Sequence, residues 1–372
     1  MKAIRVETPF KVTAKAERLG RVERERILAN PGFGNVFSEH LIHATWSKAD
    51  GWHDHELRPY SSIQLDPGAL VFHYSQSVFE GLKAFHQQDG GVAVFRADAH
   101  AARFRRSSRR LALPELPEST FIEAIDRLLA IDREWVPTAA EHSMYLRPFM
   151  YATEVTLAVH PSATVDFFLI ASPSSSYFPS GVKPVTVWLS EDFTRAARGG
   201  TGDAKTGGNY AGGLLAHAQA VEQGCDQVVW LDAAEHRWVE EMGGMNIFFV
   251  YGNGSGARLV TPALTGTLLP GITRDALLIL GRDLGYAVEE GRISTEEWRE
   301  GCASGAISEA FACGTAAVIT PIGAVKSKGH AWKIGDGNPG PVSMKLRQAL
   351  VDIQRGAAHD KHGWMHRVPE SV

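Results

Sequence analysis

The stretch that most limits how this chain folds is SPSSSYFPSGVKP, residues 172 to 184. Serine, proline and glycine supply no periodic apolar face, and proline removes a backbone donor, so neither a helix nor a sheet strand runs through it easily. Strand-like and helix-like runs mix on both sides of it. The chain therefore reads as two domains joined near residue 180: a first domain over 1–175, a loop over 176–184 and a second domain over 185–372. A length of 372 residues suits two domains of ordinary size.

Before the break, GALVFHYSQSVFEGLKAF opens on an apolar run and carries Val78, Phe79, Leu82 and Phe85 at helical spacing. GGVAVFRADAHAARFRRSSRRLAL reads as a strand over 92–95, then a basic helix from Ala97. ESTFIEAIDRLLAIDREWV is an amphipathic helix with Ser119 as its N-cap, and SMYLRPFMYATE and TVDFFLIAS are strands. The polar DGWHDHELRP, with His53 and His55, reads as a solvated loop rather than a metal pair. After the break VTVWLS opens a strand, a helix is expected from about 210 to 223, and DQVVWLD and NIFFVYG are strands. YGNGSGARLVTP is a hairpin turn leading into another strand. PGITRDALLILGRDLG is a helix capped by Thr273, and YAVEEGRIS a strand. The fold class is α/β or α+β.

Several function classes drop out. A formal net charge of −4 with no strongly basic segment argues against nucleic acid as a partner. No apolar run approaches a membrane span, and MKAIRVETPFKVTAKAERLG lacks the apolar centre of a secretory signal. Three widely spaced cysteines, Cys225, Cys302 and Cys313, make neither a disulfide framework nor a zinc site. The expectation is a cytoplasmic protein with reduced thiols.

Chemistry is concentrated in GDAKTGGNYAGG, residues 202 to 213. A phosphate-binding P-loop needs Gly-x-x-x-x-Gly-Lys-Ser/Thr, but Ala204 stands at the second glycine, and Gly207-Gly208 would break the helix that should follow. Two readings of Lys205 remain. One is a surface lysine in a glycine-rich loop; the other is a Schiff-base nucleophile, which acts only when neutral and needs a cofactor site around it.

Pyridoxal phosphate makes three demands: a lysine for its aldehyde, an anion site for its phosphate and an acid beside its ring nitrogen. Each has a candidate. Gly271-Ile272-Thr273 open a helix whose N-terminus favours a phosphate. Gly314 to Ala316, in ACGTAAVITP, form a second loop of small residues able to take an anion. Glu240 and Glu241 precede a Gly-Gly turn and an apolar strand, and one of the arginines in HAARFRRSSRR reaches toward the phosphate.

Together these stretches resemble the branched-chain amino acid aminotransferases of pyridoxal-phosphate fold type IV. PGFGNVFSEH, HYSQSVFEGLKAF, MYLRPFMYATE, GGTGDAKTGGNYA, EEMGGMNIFFV, LLPGITRDA and ACGTAAVITP occur in the family's order over nearly the whole chain. The resemblance implies a smaller N-terminal and a larger C-terminal domain with the active site between them, and at least a homodimer. It implies pyridoxal 5′-phosphate as cofactor and reversible, ping-pong amino transfer between leucine, isoleucine or valine and 2-oxoglutarate. Lys205 would hold the cofactor and carry the proton, Glu241 would pair with the ring nitrogen, and Tyr210 would bond the phenolic oxygen. Arg103, Ile272, Thr273 and Thr315 would hold the phosphate. Phe33, Tyr74, Phe79, Tyr145 and Tyr177 would line the aliphatic pocket, where a buried Leu, Ile or Val side chain contributes ~1.5–3 kcal/mol. Arg147 would meet the distal carboxylate of glutamate, and the N–H groups of Thr315 and Ala316 the α-carboxylate.

Two positions depart from relatives. Ala317 and Thr320 stand where some members carry a Cys-x-x-Cys redox pair, so that switch should be absent. Gly244 replaces a threonine found in others.

Overall fold

The computed structural model describes residues 10–175 and 181–370. These form two compact units, one of 10–175, 204–207 and 354–370, the other of 181–203 and 208–353. Two segments expected in the second domain therefore group with the first. For the C-terminal segment the cause is strand pairing: Met365–Arg367 runs antiparallel to Val92–Phe95, with Met365 opposite Phe95. For residues 204–207 it is backbone hydrogen bonding on both sides of Lys205, described below.

Among the described residues, the first unit is built on a nine-stranded sheet. Ser143–Ala152 and Thr164–Ser174 lie antiparallel at its centre, paired residue by residue from Ser143 opposite Ser174 to Ala152 opposite Val165. The helices Ala97–Arg110 and Glu118–Ile131 cover one face. Phe104 of the first helix, with Phe121 and Leu128 two turns apart on the second, fills the core against Met144, Leu146 and Phe167.

The stretch 77–86, helical by its spacing, is two strands, Ser77–Phe79 and Leu82–His86, both paired with Ser143–Ala152. Pairing prevailed because Gly81 lets the backbone come close: a Cβ there would lie 2.0 Å from the Tyr145 hydroxyl. Val78 and Leu82 still reach the core. DGWHDHELRP is likewise no loop. Gly51–Pro59 is a strand against His40–Ser47, and His55 is buried with its ring 5.1 Å from that of Phe10. Its polar residues hid the alternation a half-buried strand normally displays.

The second unit carries another nine-stranded sheet among the described residues. Val239–Met242 begins its order and also pairs with Met245–Tyr251, so six strands close into a ring. Ile247, Phe249, Ala310 and Ala312 fill the core with Trp298. The expected hairpin is present, Met245–Tyr251 antiparallel to Arg258–Pro262. The expected helix from 210 to 223 is two pieces, Gly207–Ala211 and Leu214–Glu222. Gly212-Gly213 parts them, and a Cβ on Gly213 would lie 3.0 Å from the Trp230 ring. No helix among the described residues is long and apolar enough to cross a membrane.

Candidate active site

In the first unit the Lys205 backbone is pinned twice. Its N–H donates to Ser107 Oγ at 2.9 Å, and its carbonyl accepts the Phe79 N–H at 3.0 Å. The base of the loop is closed separately, because Asn209 Nδ2 donates to the Thr201 carbonyl at 2.7 Å and Thr201 Oγ1 to Asn209 Oδ1 at 2.6 Å. The glycine-rich stretch is thus a held loop with one long side chain aimed at an aromatic ring. Lys205 Nζ sits 4.9 Å from the Phe79 centroid.

Ser107 belongs to a buried face of Ala97–Arg110 on which His100, Arg103 and Ser107 follow at intervals of three and four. That face meets Glu80, which is fully buried. Arg103 grips it with both ends of the guanidinium fork, Nε to Oε1 at 2.7 Å and Nη2 to Oε2 at 2.8 Å. His100 Nδ1 lies 2.8 Å from Oε2. Burial alone would raise the Glu80 carboxyl, but the Arg103 and His100 charges and hydrogen bonds outweigh it and hold it well below the usual carboxylate range. Burial pushes His100 down, against the pull of Glu80.

Around Phe79 the structure gathers most of the aromatic residues expected to line a pocket. Arg147 stacks 4.9 Å from the Phe79 centroid and 5.3 Å from that of Tyr145, and its Nη2 donates to the Tyr145 hydroxyl at 3.1 Å. Phe33 packs edge-on against Tyr145 at 5.2 Å. Among the described residues Arg147 Nε is buried without a hydrogen-bond partner, a donor able to take an acceptor. Tyr74 is engaged elsewhere, giving its hydroxyl to the Leu157 carbonyl at 2.6 Å. Tyr177 lies outside the described residues.

The second unit holds the candidate acid and both candidate anion loops. Glu241 is 2% exposed. Its Oε1 accepts the Leu269 N–H at 2.7 Å and Asn246 Nδ2 at 3.3 Å, and its Oε2 lies 3.0 Å from Arg195 Nε. Strand register puts Glu241 opposite Asn246 and Asn246 opposite Cys313. Two strand spacings, ~10 Å, therefore separate the acid from Cys313, two residues before the turn at 315–317. Ring closure of the sheet brings these together, although the sequence holds them more than seventy residues apart. Glu240 points elsewhere, as alternation along a strand requires, and accepts the Thr267 hydroxyl at 2.5 Å. Burial pushes its carboxyl up. The two acids that sequence left side by side are therefore distinct, and Glu241 is the one surrounded by charge-stabilising donors.

The helix Ile272–Asp283 starts one residue before the expected Thr273 cap. Its N-cap is Gly271, in extended conformation, which has no side chain to cap the first turn. A Cβ on Gly271 would fall 1.9 Å from Asn246 Oδ1, so only glycine lets the helix start this close to the acid's neighbour. Thr315 and Ala316 form the turn between Ile307–Gly314 and Val318–Ser327, and Val318 leaves it at φ 63°, a strained conformation for a β-branched residue. Tyr210 packs beside Gly244, where an added Cβ would come within 3.1 Å of its ring. A side chain at 244 would therefore need the Tyr210 ring to shift by a few tenths of an ångström.

The amino-transferase class IV family model matches residues 77–325. This chain belongs to the class IV aminotransferases. Within them it is a branched-chain amino acid aminotransferase by relationship. It is 56% identical over 360 residues to the branched-chain-amino-acid aminotransferase of Mycolicibacterium smegmatis, covering 96% of this chain and 98% of that protein. The branched-chain amino acid aminotransferase structure from Escherichia coli matches with TM-score 0.71 at 28% identity, over 89% of this chain and 99% of that one. That from T.th., complexed with N-(5′-phosphopyridoxyl)-L-glutamate, matches with TM-score 0.71 at 26% identity, over 88% and 98%; the same protein has also been solved with 4-methylvaleric acid. Four residues of the enzyme's site were not singled out from sequence: Glu80, Ser107, Asn246 and Arg195. Only Glu80 left a trace there, a lone acid inside the apolar SVFEGLKAF, which demands a buried partner. The others sit in stretches whose composition is ordinary for surface or strand.

Proposed function

We propose that the enzyme transfers an amino group between leucine, isoleucine or valine and 2-oxoglutarate, using pyridoxal 5′-phosphate. The observation that carries this reading is the Phe79 ring, with Lys205 Nζ and the Arg147 guanidinium each 4.9 Å from its centroid. An amine, an aromatic wall and a guanidinium with an unpartnered buried Nε suit a substrate that is aliphatic in one half-reaction and a dicarboxylate in the other. One structural relative has been solved with ligands of both kinds, a glutamate adduct and a branched aliphatic acid.

The residues fit pyridoxal phosphate on an independent feature: the N-cap of the Ile272–Asp283 helix is Gly271, which has no side chain to stand where a phosphate would sit at the helix N-terminus. Ile272 and Thr273 would donate there, with Thr315 and with Arg103, which keeps its fork on Glu80. Tyr210 would donate to the phenolic oxygen. Glu241 would hold the proton of the ring nitrogen. When bound, the cofactor supplies an electron sink for charge developing at the substrate Cα. Lys205 would hold the cofactor's aldehyde carbon and, once displaced by substrate, remove the Cα proton as a neutral amine. Thr315 and Ala316 would fix the α-carboxylate through their N–H groups. Phe33, Phe79 and Tyr145, with Tyr74 and Tyr177, would surround the side chain.

Purified enzyme should show the visible band of lysine-bound cofactor, bleached by L-leucine and restored by 2-oxoglutarate. Bleaching by D-alanine but not by L-leucine would overturn the substrate assignment, and no band with added cofactor would overturn the cofactor. We further place the enzyme in the cytoplasm, consistent with cysteines that are all free, in amino-acid biosynthesis, and as a homodimer. Each unit exposes apolar side chains suited to a partner copy, Val155, Leu157 and Val159 in the first and Leu214 and Leu215 in the second. Light scattering behind a sizing column should give about twice the 40.5 kDa chain mass; a monomer at micromolar concentration would refute the dimer.

A further inference from the structure

Arg195 meets three segments of the second unit: Glu241 and the main chain at Gly202 and Thr267. Its side chain is buried to 7% exposure, and its Nε lies 3.0 Å from Glu241 Oε2. Its Nη2 donates to two main-chain carbonyls, Gly202 at 3.0 Å and Thr267 at 2.7 Å. Gly202 lies three residues before Lys205. Thr267 lies two residues before Leu269, whose N–H donates to Glu241 Oε1, and five before the start of the Ile272–Asp283 helix. The contact is close packed: a Cβ on Gly202 would fall 2.2 Å from the Thr267 carbonyl oxygen. One guanidinium thus clasps the approach to the lysine, the approach to the phosphate helix and the ring-nitrogen acid.

The charge matters as much as the clasp. Glu241 is buried, and burial favours the neutral form of any carboxyl. A neutral Glu241 would cease to draw a proton onto the ring nitrogen. Leu269 N–H and Asn246 Nδ2 are uncharged donors; Arg195 brings a full positive charge to the same carboxylate. Glu240, the neighbouring acid, makes its contact with the Thr267 hydroxyl, which in turn lies 2.7 Å from that of Thr265. Resting on the cofactor assignment above, we propose that Arg195 is the positioning residue of this site. It keeps Glu241 anionic opposite the ring nitrogen and ties the Gly202 and Thr267 loops into one frame.

The test uses holoenzyme loaded with pyridoxal 5′-phosphate labelled with nitrogen-15 in the ring, read by NMR, beside cofactor affinity and exchange of the leucine Cα proton with solvent. Wild type should show a protonated ring nitrogen. Arg195→Gln should move that signal toward the neutral-ring position and slow exchange on the order of 10²-fold, as Glu241→Gln should. Arg195→Lys restores the charge but not the fork that reaches the acid through Nε and the two carbonyls through Nη2. It should keep the protonated signal while binding cofactor about tenfold more weakly. An Arg195→Gln enzyme with unchanged ring signal and exchange would overturn the proposal. If circular dichroism shows that variant unfolded, Arg195→Lys decides: a neutral-ring signal refutes the charge role, and unchanged cofactor affinity refutes the clasp. A wild type that gives no bound-cofactor signal strikes down the underlying cofactor reading instead, and is told apart by that control.

Discussion

Lys205→Ala should lower turnover with leucine and 2-oxoglutarate by at least ~10⁴-fold, because in the proposed mechanism one side chain supplies both the covalent hold and the proton transfer. The loss should be chemical rather than structural. The contacts that pin this segment, Lys205 N–H to Ser107 Oγ and Phe79 N–H to the Lys205 carbonyl, belong to the backbone and survive the substitution. Thermal unfolding should therefore move little. Borohydride reduction followed by peptide mass spectrometry should place the cofactor on Lys205 in the wild type and nowhere in the variant. A variant that kept borohydride-fixable cofactor and full turnover would remove Lys205 from the mechanism.

The largest stability effect is expected at Glu80. Glu80→Ala leaves the buried Arg103 guanidinium and His100 without the carboxylate that both of them meet. Breaking a buried ion pair on one side costs about 3–5 kcal/mol, most of it the uncompensated charge that remains. The same substitution frees the Arg103 fork and should weaken cofactor binding as well, since Arg103 shares a helix face with Ser107, which holds Lys205. The pH dependence has a definite sign. The folded Glu80 carboxyl is depressed, so its stabilisation is present above the unfolded carboxylate range near 4.5 and is lost as pH falls toward the folded value. The gap between wild type and Glu80→Ala, measured by thermal unfolding, should be full at neutral pH and narrow only in acid. A gap equally wide in strong acid would mean that packing, rather than the charge, sets Glu80's contribution.

Much of the site was legible because its chemistry is carried by contiguous motifs. GGTGDAKTGGNYA, EEMGGMN and LLPGITRDA present a lysine, an acid and a helix start in residue types that ordinary loops and strands seldom combine. Elements with strong periodicity or punctuation were also legible. The strand Val92–Phe95, the helix from Ala97 and the hairpin around Gly252 each carry their own start or stop signal. Where two signals competed, local reading failed. Val78, Phe79, Leu82 and Phe85 satisfy helical spacing, yet the strand Ser143–Ala152 offers two rows of backbone partners and Gly81 admits it closely, so the stretch is sheet. The polar strand Gly51–Pro59 failed the other way, since its neighbour His40–Ser47 supplies the ladder that its composition does not advertise.

By itself the sequence presented residue types suited to this chemistry: a lysine in a glycine-rich loop, two adjacent acids before a Gly-Gly turn, a helix start after Pro-Gly and an arginine among aromatic residues. Those are properties of residue type and local order, which no fold alters. Tertiary structure alone decided how that chemistry is held. It turned Glu240 and Glu241 to different surroundings by strand alternation and set Glu241 beside Asn246 in the strand pairing that closes a ring of strands. It pinned Lys205 through Ser107, a residue ninety-eight positions away, and matched Arg103 with Glu80 and Arg195 with Glu241. Buried charges need partners that are near in space, and nothing in local sequence states who those partners are.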